Sequence, residues 1–198
     1  IINIGGSFNH TAGTFNPNTT GAMTINLKGT NKTFTESGGI NNTQINWVVF
    51  AGASYTLASS IPVATSRNLT VNGSLMMGTN FATGAGAFTL AATGTLGIGE
   101  ANGITSSGAS GNVQVSGTRT FNSAASYIYN GTIAQNIGNG LPSTVANLTI
   151  NNSNTISGVS LSGTDITVST LLTLSNGMVT TGNNKVIISN SAGSAIVN

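Results

Sequence analysis

The chain has no cysteine and almost no charge. Without cysteine there is no disulfide framework, no thiolate metal site and no cysteine nucleophile. Charged residues are 4% of 198, against about 25% in an average soluble domain. Five cations and three acids are scattered along the sequence, so the net charge of +2 and the pI of about 9.3 reflect scarce acids, not a basic surface. Nucleic-acid binding needs clustered cations, usually beside aromatics; the sequence has no such cluster. Long apolar runs are missing too. Trp47-Val48-Val49-Phe50-Ala51 suits one buried strand and falls far short of the roughly 18 residues of a spanning helix. Strong helix formers are few, and the Ala-rich stretch 85–92 is interrupted by Gly and Thr.

The inventory for acid–base chemistry is equally short: Glu36, Glu100, Asp165 and His10. Glycoside hydrolysis uses two carboxyl groups roughly 5–10 Å apart. Calcium-dependent chemistry needs several oxygen ligands round one cation. Glu36 and Glu100 are 64 residues apart, and Asp165 is 65 further on. One His without Cys or a neighbouring acid is a poor metal site. The expectation is therefore no catalytic residue, no cofactor and no metal, with each acid and His10 on an exposed loop. Arg67 and Arg119 are expected to cover edges of the structure.

What the sequence does have is Asn, Thr, Ser and Gly in alternation with aliphatics. Met23-Thr24-Ile25-Asn26-Leu27, Asn68-Leu69-Thr70-Val71, Asn112-Val113-Gln114-Val115, Asn147-Leu148-Thr149-Ile150 and Asp165-Ile166-Thr167-Val168 all follow period two, the period of a strand. Asn72-Gly73, Asn102-Gly103, Asn130-Gly131, Asn139-Gly140 and Asn176-Gly177 punctuate them as turns. The chain also repeats itself over a long period. Leu27-Lys28-Gly29-Thr30 is echoed by Tyr129-Asn130-Gly131-Thr132, and Asn68–Leu75 by Asp165–Leu172. Residues 1–111 and 112–198 read as two copies within one continuous solenoid.

The expected fold is all-β: a parallel β-helix of roughly ten coils of about 20 residues, stacked at about 4.8 Å. Tandem β-sandwich domains are the alternative, since they too show short strands between turns. Uncharged Asn and Thr favour the solenoid, because a stacked column of them avoids like-charge repulsion. In this scheme Leu69, Val71, Ile166 and Val168 point inward and Thr70 and Thr167 outward. Phe8, Phe15 and Phe121 fill the core. If Ile128 points inward, Tyr127 and Tyr129 form an exposed aromatic patch and become the candidate glycan contacts.

The stretch Phe121-Asn122-Ser123-Ala124-Ala125-Ser126-Tyr127-Ile128-Tyr129-Asn130-Gly131-Thr132, followed by Gly140-Leu141-Pro142-Ser143-Thr144-Val145-Ala146-Asn147-Leu148-Thr149-Ile150-Asn151-Asn152, carries a resemblance. It resembles the repeats of large secreted surface proteins of Bacteroidota, many of which bear a type IX secretion sorting domain. The likeness covers residues 112–198 well and the first copy more loosely. It implies an extracellular stalk, fibre or adhesin segment on a bacterial cell surface, without catalytic residues. The start at Ile1 and the mid-repeat end at Ala195–Asn198 fit a segment of a longer chain.

The functional expectation is a non-enzymatic structural solenoid whose partners are neighbouring repeats, other copies of itself joined end to end, or surface glycans. Neither nucleic acid nor membrane insertion is expected. A glycan-binding module using Tyr127 and Tyr129 is the alternative. Ice binding through Thr-rich strands and polysaccharide degradation rank below it.

Overall fold

The computed structural model describes residues 1–17, 21–39, 42–161 and 163–198. They form one all-β parallel solenoid of about eight turns. The first two coils hold β1 (Ile2–Ile4), β2 (Phe8–His10), β3 (Met23–Leu27) and β4 (Lys32–Glu36). A short 3-10 turn at Asn42–Gln44 leads into β5 (Ile45–Val49), β6 (Ser54–Leu57) and β7 (Ile61–Pro62). Next come β8 (Asn68–Val71), β9 (Ser74–Met76) and β10 (Ala82–Gly84), then β11 (Ala87–Leu90), β12 (Thr95–Ile98) and β13 (Val113–Val115). The sixth coil is β14 (Arg119–Phe121), β15 (Ser126–Tyr129) and β16 (Gln135–Asn136). Longer strands follow: β17 (Thr144–Asn151) with β18 (Val159–Ser160), and β19 (Ile166–Asn176) with β20 (Val179–Thr180). The chain closes on β21 (Val186–Ile188) and β22 (Ile196–Val197).

Every strand pair is parallel and joins successive coils. One sheet runs β1-β3-β5-β8-β11-β14 and a longer one β2-β4-β6-β9-β12-β15-β17-β19-β21, with β22 also on β19. The third side carries two short sheets, β7-β10-β13 and β16-β18-β20. Parallel pairing throughout is incompatible with tandem sandwiches, which are antiparallel. It needs a crossover between partners, and here the crossover is the rest of the coil.

Inward positions stack into apolar columns. Ile25, Trp47, Leu69 and Phe88 are consecutive partners in one, and Leu75, Leu96, Tyr127, Leu148 and Leu172 in another. All are buried. Each such side chain is worth about 1.5–3 kcal/mol relative to exposure. Leu69, Val71, Ile166 and Val168 point inward as expected, with Thr70 and Thr167 half-exposed on the outer face. Phe8 and Phe34 stack at 5.0 Å, and Trp47 stands edge-on to both at 5.3 and 5.2 Å. Its indole N–H donates to the Pro62 carbonyl at 3.0 Å, so a buried donor is satisfied.

The coil number is lower than ten because coil length varies. Partners are 19 residues apart at Leu69↔Phe88 but 31 apart at Phe88↔Arg119. The extra residues form a loop between β12 and β13. Sheet ladders run across residues 111 and 112 without a break: β11 pairs β14 and β12 pairs β15. The echo of Leu27–Thr30 in Tyr129–Thr132 is one of spelling only. Leu27 ends a strand of the six-stranded sheet and Tyr129 a strand of the longer sheet.

Buried amides line one corner. Asn112 accepts from the Gly99 and Glu100 amides at 3.1 Å each and donates to the Gly78 and Asn80 carbonyls at 2.7 and 2.8 Å. Gln135 accepts from Gly131 N–H at 2.8 Å and donates to the Ile98 and Glu100 carbonyls at 3.0 and 3.1 Å. Asn152 donates to Gln135 Oε1 at 2.7 Å and to the Ile133 carbonyl at 2.8 Å. Neutral amides with both donor and acceptor can satisfy backbone on two coils at once, which is why they replace charge here.

Candidate functional site

Tyr127 and Tyr129 do not form a surface patch. Both are fully buried at 0% exposure. Their partners in the neighbouring coil are Leu96 and Ile98, both inward, while Ile128 lies opposite Gly97 on the outer face. The strand phase is therefore the reverse of the one that made them glycan contacts. The phenols are accommodated because Tyr127 donates to the Asn122 carbonyl at 2.7 Å and Tyr129 to the Ile137 carbonyl at 2.5 Å. Burial pushes both phenols above their ordinary range, Tyr129 further still through the neighbouring Tyr127.

The acids do not converge. Glu36, Glu100 and Asp165 lie on the second, fifth and eighth coils, so neighbouring acids are separated by about 14 Å along the axis at about 4.8 Å per coil. Glu100 and Asp165 lie in loops as expected, Glu36 does not, and each of the three carboxylates has a hydrogen-bond partner. Glu36 closes β4 and pairs with His10 in β2, Nδ1 to Oε2 at 2.8 Å. His10 is thus a strand residue in a cross-coil pair rather than a solvated loop residue. Glu100 accepts from Asn102 N–H at 2.6 Å, and Asp165 from Lys185 N–H at 2.8 Å. No group of three or more His, Cys, Asp or Glu placed to hold a metal exists among the described residues.

Among the described residues the surface carries three shallow clefts, two of about 360 and 340 Å³ and a smaller one made by the long loop. Gly103 turns the chain at φ +63°, where a Cβ would strike the Asn136 carbonyl. Thr105 closes the loop by donating to the Ser110 carbonyl at 2.6 Å, and Ser106 N–H ties it to Asn139 Oδ1 of the next coil at 3.0 Å. Arg119 covers the free edge of the six-stranded sheet, because β14 is that sheet's last strand. Its register partner is Phe88, so it stands in the column that Trp47, Leu69 and Phe88 fill with apolar side chains. From there its guanidinium reaches the loop. Nε donates to the Val115 carbonyl at 2.9 Å, and Nη1 to the Thr105 carbonyl and Oγ1 at 3.1 and 2.9 Å. Nη2 donates to the Gly108 carbonyl.

The cleft so formed has a volume of about 230 Å³ and is lined by Ser106, Ser107, Ala109, Gln114, Ser116 and Arg119. Arg119 has no carboxylate partner: His10–Glu36 is the only ion pair among the described residues. Burial lowers the guanidinium from its ordinary value. Sequence reading missed this cleft. Its signals were there, in the run Thr105-Ser106-Ser107-Gly108-Ala109-Ser110-Gly111 and in an Arg at an alternation position reserved elsewhere for Leu, Trp or Phe. No family model, characterised protein or solved structure matches the chain.

Proposed function

We propose that this chain is a non-enzymatic structural segment: a rigid β-solenoid stalk, fibre or adhesin segment on the outside of a bacterial cell. The observation that carries this reading is the ladder itself. It continues through about eight turns on apolar columns and buried amides, and the few acids are spread along the axis. Such a rod needs neither disulfides nor charge networks and tolerates a changing solvent. The resemblance of residues 112–198 to secreted surface repeats supports the extracellular part of this reading. Brief treatment of intact cells with an impermeant protease should degrade the protein if it is displayed outside. Survival until lysis would remove the surface assignment.

End-to-end assembly is part of the same proposal. Ile2 and Ile196 occupy inward register positions, opposite buried Ile25 and Leu172, yet are 39% and 52% exposed. The strands β1, β21 and β22 carry no charge that would discourage pairing with another edge. The longer sheet ends on β2 at one end of the rod and on β21 at the other, so moving a copy along the axis sets a β2 edge against a β21 edge in the same chain direction. A contact of this head-to-tail kind does not close and gives filaments. Negative-stain microscopy over a concentration series should show rods longer than one chain, shortened by Ile196→Lys. Uniform single rods at every concentration would remove the filament.

A further inference from the structure

We propose that the cleft at Arg119 binds one acidic sugar residue, a carboxylate- or sulfate-bearing unit of a polysaccharide. The first ground is charge. A cation stands at an inward register position, and the chain holds three acids, each engaged elsewhere: Glu36 with His10, Glu100 with Asn102 and Asp165 with the Lys185 amide. Carbonyl oxygens hold Arg119 in place but leave its charge without a counter-ion, and an anion is the partner such a site favours.

The second ground is the donors that remain. A guanidinium has five N–H groups. One from Nε, two from Nη1 and one from Nη2 are used on Val115, Thr105 and Gly108. One Nη2 N–H is left. The Ser107 and Ser116 hydroxyls, which line the same cleft, make no hydrogen bond among the described residues. A fixed cation with a spare donor and two open hydroxyls is a recognition set for an oxyanion flanked by hydroxyls.

The third ground is size and lining. About 230 Å³ lies below the roughly 300–1,000 Å³ of a drug-sized pocket and suits a single sugar ring. Ala109 and Gly117 offer apolar contact to ring C–H groups beside the polar set. Asn112 clamps the base of the loop, so the cleft is held open rather than formed on binding. The site would act equally on a lone rod or on a filament.

The test is an NMR titration of the whole 198-residue chain with galacturonate, a tri-galacturonate, inorganic sulfate and neutral galactose. Galacturonate and its trimer should shift the Arg119 Nε–H signal and the amides of Ser106, Ser107 and Ser116, the trimer at least threefold more tightly, and galactose should not. Arg119→Lys keeps the charge but loses the fork and should weaken binding at least tenfold. Arg119 also holds the loop, so Ser107→Val with Ser116→Val gives a second variant outside the loop's own hydrogen bonds. It should keep the free protein's spectrum and lose at least threefold in affinity. Equal binding of sulfate and galacturonate would reduce the site to one for a free oxyanion and overturn the sugar. No shift at millimolar galacturonate, or equal shifts with galactose, would overturn the site altogether.

Discussion

Three tyrosines, Tyr55, Tyr127 and Tyr129, all sit inside the rod with phenols raised by burial. The sign of their effect on stability follows from proton counting. An unfolded chain releases these protons near pH 10, whereas the folded chain holds them to higher pH, so the unfolded state binds fewer protons and stability falls as pH rises. Their contribution is fully present below about pH 10 and is lost above it. In an alkaline titration, tyrosinate absorbance should appear together with loss of the β signal in circular dichroism. Ionisation near pH 10 with the fold intact would contradict the buried placement. Inward and outward phase can be tested residue by residue. Val71→Asp and Val168→Asp should each cost about 4 kcal/mol or more in chemical denaturation. Thr70→Asp and Thr167→Asp should stay within about 1 kcal/mol. The reverse order would overturn the assigned faces. These aliphatic strands were legible because Val and Leu leave no choice of side. Tyr127-Ile128-Tyr129 offered both choices. Its phase was settled by the Asn122 and Ile137 carbonyls, which lie 5 and 8 residues away in sequence and leave no local trace.

At the scale of the element, the buried amides matter most. Gln135 serves the Gly131 amide, two carbonyls and Asn152 at once. Gln135→Leu keeps the volume but leaves the Gly131 amide and one Asn152 N–H without a partner, while the Ile98 and Glu100 carbonyls keep the Asn130 and Gly103 amides; each buried unsatisfied group costs roughly 1–3 kcal/mol. A loss of at least about 2 kcal/mol is expected in urea denaturation, and Gln135→Glu should be no better, since its carboxylate faces the two carbonyls with no proton to donate. A loss under about 1 kcal/mol would mean that water replaces the amide. Strand existence and the solenoid were readable from period two and the Asn-Gly turns. The length of each coil was not. The dipeptides Asn72-Gly73 and Asn102-Gly103 read alike, and only the Ser- and Gly-rich run 105–111 after the second marks it as the opening of a loop. One returns within three residues, while the other opens the loop that builds the Arg119 cleft.

At the scale of the whole molecule, each coil touches only its neighbours. Damage should therefore stay local: limited proteolysis of Val168→Asp should open the last coils first and leave the β1 to β9 region protected. The parallel ladder also fixes how the rod bears load. Its interstrand hydrogen bonds run along the long axis, so a pull on the two ends tests them one rung at a time rather than all together. Under tension the protein should behave as a spool. Each event would release 19 to 31 residues, about 70–110 Å of slack at roughly 3.5 Å per residue. Single-molecule stretching should give a sawtooth of small, unequal steps, the longest from the coil between Phe88 and Arg119. A single rupture releasing the full contour would show that the coils fail as one body. A spool dissipates a tug in instalments and rewinds between them, the behaviour expected of a tether that must yield without parting.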